Sequence, residues 1–299
     1  MTFSSYAKQS FSGVITATVT PFRDGIVDLP AFCACLERQA KAGVGGIVVC
    51  GTTGEASTLT VEERDTLIKE AALLLHGKLP LIIGCGTNDT RTTVRNAERA
   101  AENGADYLLV VTPYYNKGTE SGIVSHFLAV ADASPIPIIL YNVPGRTGVD
   151  LSIAQYEKLA VHPRIIGVKE AKGDIGRIGD LIALFGDKWH IYTGNDTEFL
   201  PTLALGGDGV ISVLSNLYPA DAVAAYRLFE SGKPQEAAAI MRRYQKLSRL
   251  LFREVNPAPV KEAMAQMGLC SAETRLPLSR VSTALAGEIE AELTALSRP

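Results

Sequence analysis

The sequence has few histidines, few cysteines, little net charge and no long apolar run. Its four histidines, His76, His126, His162 and His190, are scattered without an HxxxH or HExxH spacing, so no metal site is legible. The five cysteines are an odd number, which argues against a disulfide framework. Cys33 and Cys35 lie two apart in a predicted helix and point to different faces, which makes them poor joint ligands. Cys50 and Cys85 close apolar runs and read as core thiols. A formal net charge of -3 offers no basic face for nucleic acid. No segment is apolar for long enough to span a bilayer, and the polar stretch from Met1 to Ser12 lacks the core of a signal peptide. The expectation is a cytoplasmic protein with neither a membrane nor a nucleic-acid partner. No GxGxxG follows the first strand-like run, which weakens a dinucleotide-binding reading, and no low-complexity tract or fixed-period repeat is visible.

What is present is a regular alternation. Hydrophobic residues make up 46% of the 299 positions and charged residues 20%, a balance that supports a large core. Short β-branched apolar runs near 13–20, 46–50, 81–85, 107–111, 137–141, 165–169, 190–193 and 209–212 read as buried parallel strands. Helical patterns over 29–42, 61–75, 90–103, 121–133, 153–160, 175–185, 198–204 and 220–231 alternate with them. Eight alternations favour an α/β fold, a (β/α)8 TIM barrel, with a doubly wound open sheet as the alternative. After Gly232-Lys-Pro the strands stop, and 235–251, 259–267 and 277–296 read as helices. The expected division is a catalytic barrel over 1–231 and a C-terminal helical appendage over 232–299.

The unusual residues fall where the strands should end. Lys169 closes the run Ile165-Ile-Gly-Val-Lys169. A desolvated lysine at a barrel's carboxyl rim can act as an amine nucleophile towards a ketone, whereas a lysine that snorkels to solvent would do nothing there. Gly51-Thr52-Thr53-Gly54-Glu55 offers hydroxyls and exposed backbone N–H groups that suit a small carboxylate or phosphate, or else is a plain turn with a threonine cap. Tyr114 and Tyr115 follow the fourth run, and Tyr141 is expected as the last residue of the fifth, where a phenol can carry a proton. Arg146, in a Gly/Pro-shaped loop, presents a planar fork that matches a carboxylate. Gly194 and the glycines before Ile211 would let a ligand approach, or would serve barrel geometry. A lysine, hydroxyl proton carriers and a carboxylate anchor, without metal ligands or a cofactor fingerprint, fit imine-based carbon–carbon chemistry on a keto acid.

Three stretches, Gly51-Thr-Thr-Gly-Glu55, Tyr141-Asn-Val-Pro-Gly-Arg-Thr-Gly148 and Gly167-Val-Lys-Glu-Ala171, resemble signatures of the dihydrodipicolinate synthase group of pyruvate-dependent class I aldolases. The resemblance runs from Gly13 to about Gly268 and includes Asn256-Pro-Ala-Pro-Val-Lys261. It implies condensation of pyruvate with L-aspartate 4-semialdehyde on the route to diaminopimelate and lysine, with no cofactor beyond a covalent imine between pyruvate and Lys169. The alternative is a relative acting on a sugar-derived keto acid. By the same resemblance Tyr141, Thr53 and Tyr115 form a proton relay, and Tyr115 reaches into a neighbouring subunit. Thr52 and Thr53 hold the pyruvate carboxylate, Arg146 holds that of the aldehyde, and Gly194 and Ile211 shape the pocket. The expected assembly is a homotetramer built as a dimer of dimers. Two departures stand out. Lys172 replaces a small hydroxyl residue, so the charge near the mouth differs. Asn88 and Tyr114 match a lysine-effector site, but Val61, Arg64 and Thr92 do not, which leads to an expectation of weak feedback inhibition unless Glu62 or Asp89 takes over.

Overall fold

The structure is a computed structural model that describes residues 11–297; positions 1–10 of the polar N-terminal stretch lie outside the described residues. Among the described residues, eight strands hydrogen-bond in chain order and close into a parallel barrel. They are β1 (Gly13–Ala17), β2 (Gly46–Val49), β3 (Leu81–Gly84), β4 (Tyr107–Val111), β5 (Ile138–Asn142), β6 (Ile165–Glu170), β7 (His190–Thr193) and β8 (Gly209–Ser212). The expected barrel is therefore present and the open sheet is not. β1, β2, β5, β7 and β8 are buried along their whole length, as parallel strands covered on both faces must be.

The helices that follow the strands start where the sequence supplies caps. Asp28 accepts from Ala31 N ahead of Leu29–Ala42, and Thr60 with Glu63 forms a capping box for Val61–Leu75. Asp89, Thr119, Ser152 and Asp174 cap Thr90–Glu102, Glu120–Ala133, Ile153–Leu159 and Ile175–Phe185 in the same way. Each cap satisfies orphan N–H groups and fixes the loop that precedes it, which is how the loops after the strands acquire defined shapes.

The described residues pack as two compact units. One comprises residues 13–81 and 211–297. Here Thr16 Oγ1 lies 2.9 Å from Gln39 Oε1 and 2.8 Å from Ser215 Oγ, and Gln39 Nε2 donates to the Ser215 carbonyl at 3.0 Å. The C-terminal helices Pro234–Arg243, Gln245–Leu250, Ala258–Gln266 and Thr283–Leu296 belong to this same unit, together with β1 and β2.

The other unit comprises residues 82–210 with Phe11 and Ser12. β4 to β7 lie wholly within it. Phe11 stacks on Tyr107 at 4.5 Å between ring centroids, and the Tyr192 hydroxyl donates to the Phe11 carbonyl. β5 and β6 pair so that Tyr141 is opposite Lys169 and Asn142 opposite Glu170. That register decides which side chains share a face.

Candidate active site

Lys169 and Tyr141 are cross-strand partners, so both point to one side of the sheet. Each is only 7% exposed, and Lys169 Nζ stands 4.4 Å from the centre of the Tyr141 ring. A lysine amine and a phenol are thus packed together at the carboxyl ends of β5 and β6. Gly194 makes room for them. A Cβ there would fall 2.9 Å from Lys169 Cε and 2.6 Å from Ala171 Cβ, too close for any side chain.

Neither group is the last residue of its strand. β5 continues to Asn142 and β6 to Glu170. Glu170 alternates to the face opposite Lys169. Its carboxylate is buried and receives Arg177 Nε at 2.9 Å, Lys172 N at 2.9 Å, Asn142 Nδ2 at 3.0 Å and the Tyr156 hydroxyl at 3.2 Å. Burial alone would lower the pKa of Arg177, but Glu170 outweighs it and raises it. Burial, reinforced by Glu170, lifts Tyr156 well above the ordinary phenol value. The two therefore stay charged and neutral respectively, and both bond to Glu170 at the end of the lysine strand.

Arg146 is exposed on a short helix, Pro144–Thr147, where the sequence suggested an irregular loop. The loop after β4 meets this turn, since Thr112 Oγ1 donates to Thr147 Oγ1 at 3.1 Å. Tyr115 lies on that loop, 88% exposed, with a left-handed φ of 71°. A non-glycine residue held there is strained, and such strain gathers at working sites. Tyr114 is half-buried, and Asn116 Nδ2 donates to the Asn88 carbonyl at 2.8 Å. Thr92 supplies a backbone N–H to Asp89 Oδ2 at 2.7 Å, which caps its helix. Lys172, flagged by the sequence as extra charge, forms an ion pair with Asp150 at 3.0 Å.

Thr52, Thr53 and Ile211 belong to the other compact unit. Thr52 is exposed and Thr53 buried, in a turn closed by Gly54 N to the Gly51 carbonyl and Glu55 N to the Thr52 carbonyl. Asn256 Nδ2 donates to Thr53 Oγ1 at 3.0 Å. Glu55, at a left-handed φ of 53°, accepts from Lys261 Nζ at 2.5 Å and from Arg275 N at 3.0 Å. Lys261 is fully buried over the Phe22 ring at 4.2 Å, and burial lowers its pKa despite the pull of Glu55. Ile211 is completely buried within β8. Sequence reasoning assigned no task to Glu55, Asn256, Lys261 or Glu170. Spacing along a chain does not reveal a pair separated by two hundred residues, although Glu55 and Lys261 both sit inside the motifs that carried the resemblance.

Cys50 and Cys85 are buried as expected, and burial pushes the Cys50 thiol up to about 11, which keeps it unreactive. Among the described residues no cluster of three or more His, Cys, Asp or Glu side chains could hold a metal ion, and no helix is long and apolar enough to cross a membrane.

The sequence model of the Dihydrodipicolinate synthetase family matches residues 10–296. A 4-hydroxy-tetrahydrodipicolinate synthase of an Exiguobacterium species is 45% identical over 273 residues, 91% of this chain and 93% of the relative. The crystal structure of dihydrodipicolinate synthase from Thermotoga maritima superposes with a TM-score of 0.93 at 37% identity, covering 96% of this chain and 98% of the other. The chloride-inhibited dihydrodipicolinate synthase from Acinetobacter baumannii, complexed with pyruvate, also has a TM-score of 0.93, at 39% identity with 96% and 99% covered.

Proposed function

The chain belongs to the dihydrodipicolinate synthetase family, and from that membership we infer that it condenses pyruvate with L-aspartate 4-semialdehyde, on the route to diaminopimelate and lysine. The observation that carries this reading is the buried Lys169 against Tyr141, in space that only a glycine at 194 leaves open.

In this reading the neutral Lys169 amine attacks the pyruvate carbonyl, and loss of water leaves an imine. The protonated imine withdraws electrons, so a methyl proton can leave and an enamine forms. The enamine carbon attacks the aldehyde. The substrate's own amine then displaces Lys169 and closes the ring, which returns the free lysine. No separate cofactor is required, because the imine itself is the electron sink. Tyr141, Thr53 and Tyr115 carry the protons, and Thr52 and Thr53 hold the pyruvate carboxylate. Arg146 binds the carboxylate of the aldehyde through its fork, while Gly194 and Ile211 shape the pocket. Holding both reactants together removes much of the entropic barrier.

The exposure and strained backbone of Tyr115 support a role across a subunit interface, in a homotetramer made of two dimers. The relatives' biosynthetic role supports a cytoplasmic location. The test is purified protein with both substrates, coupled to a reductase that consumes the cyclic product. Turnover dependent on both substrates is expected. Turnover of pyruvate with a sugar-derived aldehyde instead, unaffected by Arg146→Ala, would assign the chain to another aldolase reaction.

A further inference from the structure

Four charged side chains meet behind the carboxyl ends of β5 and β6. Arg177 Nε lies 2.9 Å from Glu170 Oε2, and a terminal nitrogen of the same guanidinium lies 3.5 Å from Asp150 Oδ1. Lys172 Nζ lies 3.0 Å from Asp150 Oδ2. Asn142 Nδ2 donates to both carboxylates, at 2.9 Å to Asp150 Oδ1 and 3.0 Å to Glu170 Oε1. Two carboxylates face two cations, so the cluster is neutral with Lys172 and carries one negative charge without it.

The two pairs differ in exposure. Glu170 and Arg177 are 1% and 12% exposed, a buried brace, while Asp150 and Lys172 are 36% and 37% exposed and face solvent. Asp150 stands four positions after Arg146, and Lys172 three after Lys169. Their ion pair therefore ties the Arg146 turn to the end of the lysine strand. Asn142 Nδ2 bridges the same two segments through Asp150 and Glu170, and a terminal nitrogen of Arg177 donates to the Leu151 carbonyl. Burial would raise the pKa of Asp150, but hydrogen bonds from Asn142 and Lys172 and the nearby Arg177 outweigh it and lower it, so it is an anion at neutral pH.

We propose that Lys172 is a specificity-determining positioning residue that cancels the Asp150 charge and fixes the Arg146 turn, so that binding of the carboxylate-bearing aldehyde depends on it and imine formation at Lys169 does not. The proposal rests on the reaction inferred above. An unbalanced carboxylate beside that turn would repel an incoming carboxylate and loosen its arginine.

The experiment is steady-state kinetics of Lys172→Met, Lys172→Arg and Lys172→Met/Asp150→Asn, alongside borohydride trapping with pyruvate. Lys172→Met is expected to raise KM for L-aspartate 4-semialdehyde about two- to fivefold, as a partly exposed ion pair allows. Its kcat, its KM for pyruvate and its trapping are expected to match wild type, and that trapping reports that the variant is folded. Lys172→Arg keeps the wild-type KM. Asp150→Asn in the Lys172→Met background restores most of it, because the cluster is neutral again. An unchanged aldehyde KM in Lys172→Met, equal changes for both substrates, or no recovery in the double variant would each overturn the role of Lys172. Wild-type protein that pyruvate and borohydride fail to label would overturn the reaction assignment first, and this proposal with it.

Discussion

At the scale of single residues, the space around Lys169 is the feature most open to attack. Gly194 is required there for a steric reason, since a Cβ would press on the ε-carbon of the lysine. Gly194→Ala is expected to keep the fold by circular dichroism and to lose at least about tenfold in imine-dependent turnover. The magnitude follows from the cost of displacing a reacting atom by about an ångström. Normal trapping and turnover in Gly194→Ala would show that the lysine does not need that space. The sequence made Lys169 and Tyr141 conspicuous, because a lysine and a tyrosine close two apolar runs. It placed both one residue too near the strand ends. Asn142 and Glu170 extend the ladder, and polar residues read as strand terminators. They pair because Arg177, Asp150 and Tyr156 satisfy them on the far face, and hydropathy carries no trace of that.

At the scale of elements, the buried Glu55–Lys261 pair anchors the threonine turn. Glu55→Gln removes the anion that partners Lys261 in a fully buried site. The expected cost is about 3–5 kcal/mol of stability, read as a fall in the urea midpoint. Glu55→Gln combined with Lys261→Met should cost less, because no charge is then stranded. A midpoint shared by Glu55→Gln and wild type would mean the pair contributes nothing. The regular elements were legible from periodicity and caps: the strands at 107–111, 190–193 and 209–212 and the helices at 29–42, 61–75 and 175–185 stand as read. Elsewhere local chemistry overrode the pattern. Ser282 caps at Leu285 N, so the last helix begins at Thr283 and not at 277. The expected helix over 235–251 breaks at Tyr244, whose hydroxyl is drawn to Asp221. The hairpin Phe22–Arg23 with Ile26–Val27 was overlooked, although Asp24-Gly25, both at positive φ, is the dipeptide that such a turn favours.

At the scale of the whole molecule, assembly and regulation follow from exposed residues. If Tyr115 completes a neighbour's site, inactive Tyr115→Phe and Lys169→Ala proteins should regain part of their activity when subunits exchange. Verified mixed oligomers that stay inactive would place each site within one chain. Free lysine should inhibit weakly or not at all. An effector's ammonium needs an anion. Thr92 cannot provide one. A lost charge-assisted hydrogen bond costs about 1.5–3 kcal/mol, or roughly ten- to a hundredfold in affinity. Initial rates with lysine titrated into the millimolar range decide this, and strong sub-millimolar inhibition would show a rebuilt effector site.

The central claim is that Lys169 is the nucleophile, and one measurement tests it directly. The protein is incubated with pyruvate, reduced with borohydride, digested and mapped by mass spectrometry. One reduced pyruvate adduct per chain is expected, on Lys169, with none formed by Lys169→Ala. An adduct on Lys172 or Lys261, or labelling that persists in Lys169→Ala, would contradict the account.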